Sequence, residues 1–227
     1  MTSTLESEIF VVSTQYKFWS PQMAKKRDLI LEAATILFAE KGFNETSVAD
    51  LARITNSAEG TIFYHFKNKN ELFVSILETV RKGILDEFSG YMRQGRFDSG
   101  LEMVEGVIGF FLYLAGKKEQ WFRLLQRHYP YEFARNSQDG RAHLEAIYNA
   151  LVDLFEGAVR RGRQDGSIRE LPARKTALIL FSMVNGLIWF KFHDLYEPAT
   201  LYEELLAGCR RMLCNGAGPI EEETGSC

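Results

Sequence analysis

Between Ser57 and Lys69 the chain reads Ser-Ala-Glu-Gly-Thr-Ile-Phe-Tyr-His-Phe-Lys-Asn-Lys, and here residue types and spacing are most capable of chemistry. Ala58, Ile62 and Phe66 recur at every fourth position, so a short helix capped by Ser57 would bury that face. It would then present Gly60, Thr61, Tyr64 and His65 outward, with Glu59 and Phe63 on the flanks and Lys67 and Lys69 just beyond. Such a face suits a polyanion. Gly60 lets a second backbone come close, Thr61 and Tyr64 donate from hydroxyls, and His65 donates from a ring N–H. Lys69 falls at the start of a following helix, where free backbone N–H groups already attract phosphate.

Other chemistry finds little support. Cys209, Cys214 and Cys227 form no CxxC pair or disulfide framework, which suits a reducing interior. His128, His143 and His193 lack ligand spacing, and there is neither a Gly-rich phosphate loop nor a nucleophile elbow. No metal, cofactor or catalytic residue is expected. The net charge of −3 gives no global basic signature, so any contact with nucleic acid must be local. The apolar runs Val107–Ala115 and Ala177–Phe190 read as too short or too interrupted to span a bilayer. Residues 1–22 lack the basic start and long apolar core of a signal peptide, so a soluble, cytoplasmic protein without a membrane partner is expected.

The elements that must hold the 57–69 face are helices. Ile30, Ala33, Ala34, Leu37 and Phe38 form one stripe, ended by Gly42 at a left-handed cap position. Ser47 and Asp50 have capping-box spacing and open a second helix, which ends near Thr55-Asn56. Asn68 and Glu71 open a fourth, burying Leu72, Phe73, Ile76, Leu77 and Val80. Further helices are expected near 82–94, 101–116, 118–128, 138–163, 173–192 and 200–214, broken by glycine and proline. The expected fold is all-α: an arm over 1–22, a head over 23–78, a larger helical domain over 79–215 and a tail over 216–227.

Leu31–Gly42, Thr46–Ala52 and Gly60–Phe66, followed by Lys69 and Glu71-Leu72-Phe73, resemble the helix-turn-helix signature of the TetR family of bacterial regulators in order and spacing. The resemblance covers about fifty residues. It implies a DNA-binding head joined to a ligand-binding and dimerisation domain. It further implies that Ser57, Tyr64, His65 and Lys69 hold backbone phosphates, with Thr46 and Ser47 doing so from the start of the second helix. Glu59, Gly60, Thr61 and Phe63 would face base edges in the major groove. Two positions depart from the pattern: Glu59 stands where many relatives carry a basic or small residue, and Phe63 replaces the more usual tyrosine. An acid near DNA repels it unless it accepts from a cytosine amino group.

The larger domain is rich in rings, and 13% of the whole chain is aromatic. Phe111, Trp121, Tyr129, Phe133, Phe155, Phe181 and Trp189 could wall a cavity for a hydrophobic or amphipathic molecule, with Tyr148 or Asn185 as its polar anchor. Each ring singly is also what an ordinary core contains. Helices 173–192 and 200–214, the second with a stripe of Leu201, Leu205, Cys209, Met212 and Leu213, could pair with a second copy as a four-helix bundle. The reading is a dimeric repressor that leaves a palindromic double-stranded operator when a small-molecule effector binds. An activator, a regulator controlled by a protein partner, or a carrier or enzyme using an aromatic cavity are the alternatives.

Overall fold

The computed structural model describes residues 26–214, so the expected arm and tail lie outside the described residues. Ten α-helices and one 3₁₀ turn make up the described residues, and no strand occurs among them. Helix α1 (Lys26–Glu40) buries the predicted stripe and ends at Gly42, whose φ of 103° needs a residue without Cβ. Helix α2 (Val48–Ile54) carries the predicted capping box: Ser47 Oγ accepts from Asp50 N at 3.0 Å, while Asp50 accepts from Ser47 N at 3.1 Å. Hydrogen bonding to Ser47 outweighs partial burial and lowers the Asp50 pKa below the usual carboxylate value.

The α2 helix closes with Asn56 in the left-handed region (φ 47°), Ser57 N donating to Ala52 O and Asn56 N to Arg53 O. These are the two bonds of a Schellman cap. Helix α3 (Glu59–His65) starts one residue later than expected: its N-cap is Ala58, which is exposed, and Ser57 makes no capping bond. The Ser57 hydroxyl instead exchanges hydrogen bonds with Thr55. Ile62 and Phe66 alone anchor α3 in the core.

Helix α4 (Lys69–Gln94) runs unbroken through the join expected near residue 82. After it come α5 (Gly100–Lys117), α6 (Glu119–Gln126), α7 (His128–Asn136), α8 (Gln138–Asp165) and α9 (Ala173–Phe192). A 3₁₀ turn (Pro198–Leu201) then leads into α10 (Tyr202–Leu213). Helix α7 was not foreseen, because Pro130 read as a break. Its place in the first turn, where no intrahelical N–H bond is required, makes it compatible with helix.

The chain divides into two units, and the division is not a single cut near residue 78. Among the described residues, one unit comprises residues 26–80 together with Gln120–His143, and the other 81–119 together with 144–214. In the first, Phe38, Phe43 and Phe73 pack with Tyr129, whose ring stacks on Phe43 at 3.6 Å. In the second, Gly100 starts α5 so close to Gly162 of α8 that a Cβ there would lie 2.0 Å from the Gly162 nitrogen. Asp165 accepts from Gly100 N at 2.7 Å and Ser167 Oγ from Leu101 N at 3.1 Å, satisfying N–H groups that a helix start leaves open.

Helix α9 is long and apolar enough, by length and composition, to cross a membrane. The apolar run Ala177–Phe190 is short for that, but the helix continues to 20 residues. Ala177, Leu180, Phe181, Val184 and Ile188 nevertheless turn one side of it into its own unit's core, as in a core helix.

Candidate nucleic-acid interface

The outer face of α3 is built by subtraction. Ile62 and Phe66 are buried, and Arg27 lies 5.1 Å from the centre of the Phe66 ring while reaching Ser75 Oγ at 3.4 Å. What remains outside is Glu59, Gly60, Phe63 and Tyr64, with Thr61 and His65 half-buried. Tyr64 is 85% exposed and Phe63 49%, leaving much apolar area in water on rings that serve no fold. Tyr64 and His65 meet edge to face at 5.2 Å. No Cβ placed at Gly60 would meet an atom within 4 Å, so a partner has open access to its backbone.

The turn leading into α3 is held from a distance. Lys26 Nζ donates to Thr55 O at 2.9 Å and Asn56 O at 3.1 Å, placing a cation on the C-terminal carbonyls of α2. Nothing at residue 26 signals this in the sequence, since the partners lie 29 and 30 positions away. Arg127, donating to Ala39 O at 2.7 Å and to Glu40 O, closes the end of α1 in the same manner.

Two residues expected to grip phosphate are engaged inside the head. Thr46 is 1% exposed and its hydroxyl donates to Gly42 O at 2.8 Å, so burial removes that side chain from any ligand. Lys69 donates to Phe43 O at 2.6 Å and Thr46 O at 2.8 Å, and its ammonium sits 4.3 Å from the centre of the Phe43 ring. Burial lowers its pKa, with Glu45 opposing. A cation so occupied ties the α1–α2 turn to the start of α4. Ser47 is exposed, and Ser57 half-buried at the turn.

The nine residues expected around a ligand divide between the two units. Trp121, Tyr129 and Phe133 belong to the unit that contains the head. There Tyr129 and Phe133 meet Phe73 edge to face, and the Tyr129 hydroxyl donates to Asn70 Oδ1 at 3.0 Å. Burial, then Glu132, pushes that phenol up to about 12. Phe111, Phe155, Phe181 and Tyr148 do come together in the second unit, with Phe111–Phe155 at 5.4 Å, but they pack on one another as core. Asn185 is half-buried, and Trp189 is exposed and stacked on His193 at 4.0 Å.

An all-α chain whose compact N-terminal helices expose one short, ring-bearing, hydrogen-bonding helix face is a helix-turn-helix DNA-binding regulator. The sequence model described as "Bacterial regulatory proteins, tetR family" matches residues 30–76, which span α2 and α3 and the adjoining parts of α1 and α4. It is 28% identical over 179 residues to the transcriptional regulator TtgR of Pseudomonas putida, covering 74% of this chain and 81% of that one. It is 23% identical to the fatty acid metabolism regulator protein of Bacillus subtilis, covering 78% and 90%. Among solved structures, a transcriptional regulator from Saccharomonospora viridis in complex with choline superposes with a TM-score of 0.73 at 17% identity, covering 84% of this chain and 98% of that one. The protein is a DNA-binding transcriptional regulator.

Proposed function

We propose that the protein is a homodimeric, cytoplasmic repressor, without catalytic activity, that leaves a palindromic operator when a small hydrophobic or amphipathic molecule binds its second unit. The observation that carries the DNA-reading half is the exposed face of α3. In this reading Tyr64 and His65 hold phosphates, Ser47 and Ser57 join them by exchanging their hydroxyl bonds to Asp50 and Thr55 for bonds to phosphate, and Gly60, Thr61, Phe63 and Glu59 meet base edges. Thr46 and Lys69 serve that face by shaping the head, without touching DNA.

Dimerisation falls to α9. Leu178, Ile179, Met183 and Trp189 are exposed along one side of it, with Ser182 and Gly186 between them permitting close approach of a second helix. Helix α10 would share the task by sides other than its apolar stripe. Leu205, Cys209 and Leu213 are buried against their own chain, and burial, then Glu105, raises the Cys209 pKa to about 11. The second copy would supply the second recognition helix that successive major grooves, about 34–36 Å apart, demand. A ligand would act by preferring a dimer with another spacing between heads, a coupling of about 1–3 kcal/mol.

Ligand control is supported by relatives that carry ligands: a FadR regulator from Bacillus subtilis was solved in complex with stearoyl-CoA, at 21% identity and a TM-score of 0.64, covering 79% of this chain and 95% of that one. The test is a gel-shift titration against the DNA upstream of the protein's own gene, with and without cell extract. Specific retention that extract abolishes is the expected result. Binding no tighter than to random DNA overturns the reading.

A further inference from the structure

A cavity of about 440 Å³ lies in the second unit between α5, α9 and the turn into α10, away from the aromatic cluster of Phe111, Phe155 and Phe181. Its volume falls in the range of small-molecule sites, about 300–1,000 Å³. It exists because α5 turns small residues this way: Gly109 and Ala115 flank Leu112 at a spacing of three along one face. Across from them stand Ile188 of α9 and Pro198 and Ala199 of the 3₁₀ turn.

The outer wall is set by how α9 stops. Asp194 adopts a φ of 51°, with Leu195 N donating to Phe190 O at 3.0 Å and Asp194 N to Lys191 O at 3.2 Å. This Schellman cap is built on aspartate where glycine is usual. It reverses the chain so that Glu197 returns beside Lys191 and the following turn faces α5.

The polar groups at this cavity are few and of definite kind. Lys191 and Glu197 form a 3.8 Å ion pair, so the pair contributes no net charge. The Tyr202 hydroxyl makes no hydrogen bond among the described residues, and it lies close enough to α5 that a Cβ on Gly109 would be 3.3 Å from it. We propose that this cavity is the effector site, taking an uncharged amphipathic molecule whose apolar body lies along Leu112, Ile188 and Pro198 and whose one hydroxyl or carbonyl group bonds to Tyr202. The assignment rests on the ligand-release reading above and gives it a place and a ligand class. Among the described residues, Lys191 and Glu197 are the only charged side chains lining the cavity and they cancel, so an ionic headgroup would leave water without compensation, whereas a neutral one needs only the unused phenol. Burial, its largest cause, raises the Tyr202 pKa, so the phenol is protonated at neutral pH and able to donate.

The test is calorimetric titration of the full-length protein with 1-octanol, octanoate and octylammonium, repeated on Ala199→Trp and Tyr202→Phe. Ala199 is exposed at the cavity, so tryptophan there fills it with little demand on the core. Octanol is expected to bind about tenfold or more tighter than either ion. Ala199→Trp should weaken octanol about tenfold or more, and Tyr202→Phe about fivefold. Circular dichroism checks that each variant is folded, and Tyr202→Phe carries the test if the tryptophan variant is not. Failure of octanol to bind, tighter binding of either ion, or octanol affinity unchanged in a folded variant would overturn the assignment. Extract-induced release from DNA that persists in those variants would then leave the ligand-release reading standing with its site elsewhere.

Discussion

Among the described residues α3 and α9 each expose more than one large apolar side chain, and they expose them differently. On α3, Phe63 and Tyr64 stand beside Gly60, Thr61 and His65, so every ring has a hydrogen-bonding group or bare backbone next to it. On α9, Leu178, Ile179 and Met183 stand beside Ser182 and Gly186, and the face offers shape and apolar area with little polarity. The first composition fits a wet, charged partner whose edges accept and donate; the second fits a like helix that can exclude water. Exposure alone marks both as contact surfaces. The neighbours of the exposed rings separate the two kinds of contact.

The contrast is broken most severely by exchanging the chemistry of the α9 face. Ile179→Glu with Met183→Glu should shift the protein to monomer, with about hundredfold weaker self-association in light scattering, because like charges would meet across the two-fold axis. Operator affinity should fall with it while the circular dichroism of the helices stays unchanged. A dimer that survives the double substitution would remove α9 as the interface.

On the α3 side, Tyr64→Ala should weaken binding to every DNA sequence by about tenfold without altering the oligomeric state. Thr61→Val should instead lose discrimination between operator and random DNA, by about 1 kcal/mol. Equal losses on both DNAs for both variants would erase the division of the face into holding and reading positions.

Lys69 sharpens the comparison from inside the head. Lys69→Met should lower stability by about 2 kcal/mol in urea unfolding, since Phe43 O and Thr46 O lose a charged donor. The slope of log affinity against log salt should remain that of the parent. A slope flatter by about one unit would return Lys69 to the phosphate contacts.

The smallest effect concerns pH at Asp50. Its pKa is lowered in the folded protein, chiefly by Ser47, so its contribution is present above the unfolded pKa and is lost as pH falls through the lower folded value. Asp50→Asn should therefore narrow its stability deficit relative to the parent as pH falls below about 4. A deficit that is constant from pH 7 to 3 would mean that the cap does not depend on the carboxylate charge.

The head was legible because its information is local. Ser47 and Asp50 are three residues apart and cap as their spacing says, and Gly42 announces its left-handed φ by having no Cβ. The face of α3 follows from Ile62 and Phe66 by helical geometry alone. Where local reading failed there, a short-range rival had won: Ser57 spends its hydroxyl on Thr55, leaving Ala58 to start α3.

What the amino-acid order determined by itself is therefore the helices, their caps and the composition of each face, because these depend on residues within about one or two turns of each other. Tertiary structure alone decided that Gln120–His143 belongs with the head, that Tyr129 stacks on Phe43, and that Lys69 turns inward. It also buried the α10 stripe while leaving one side of α9 open. An apolar stripe states only that a face will be covered. Which surface covers it is a competition among every apolar face in the chain, settled by three-dimensional packing between residues far apart in sequence.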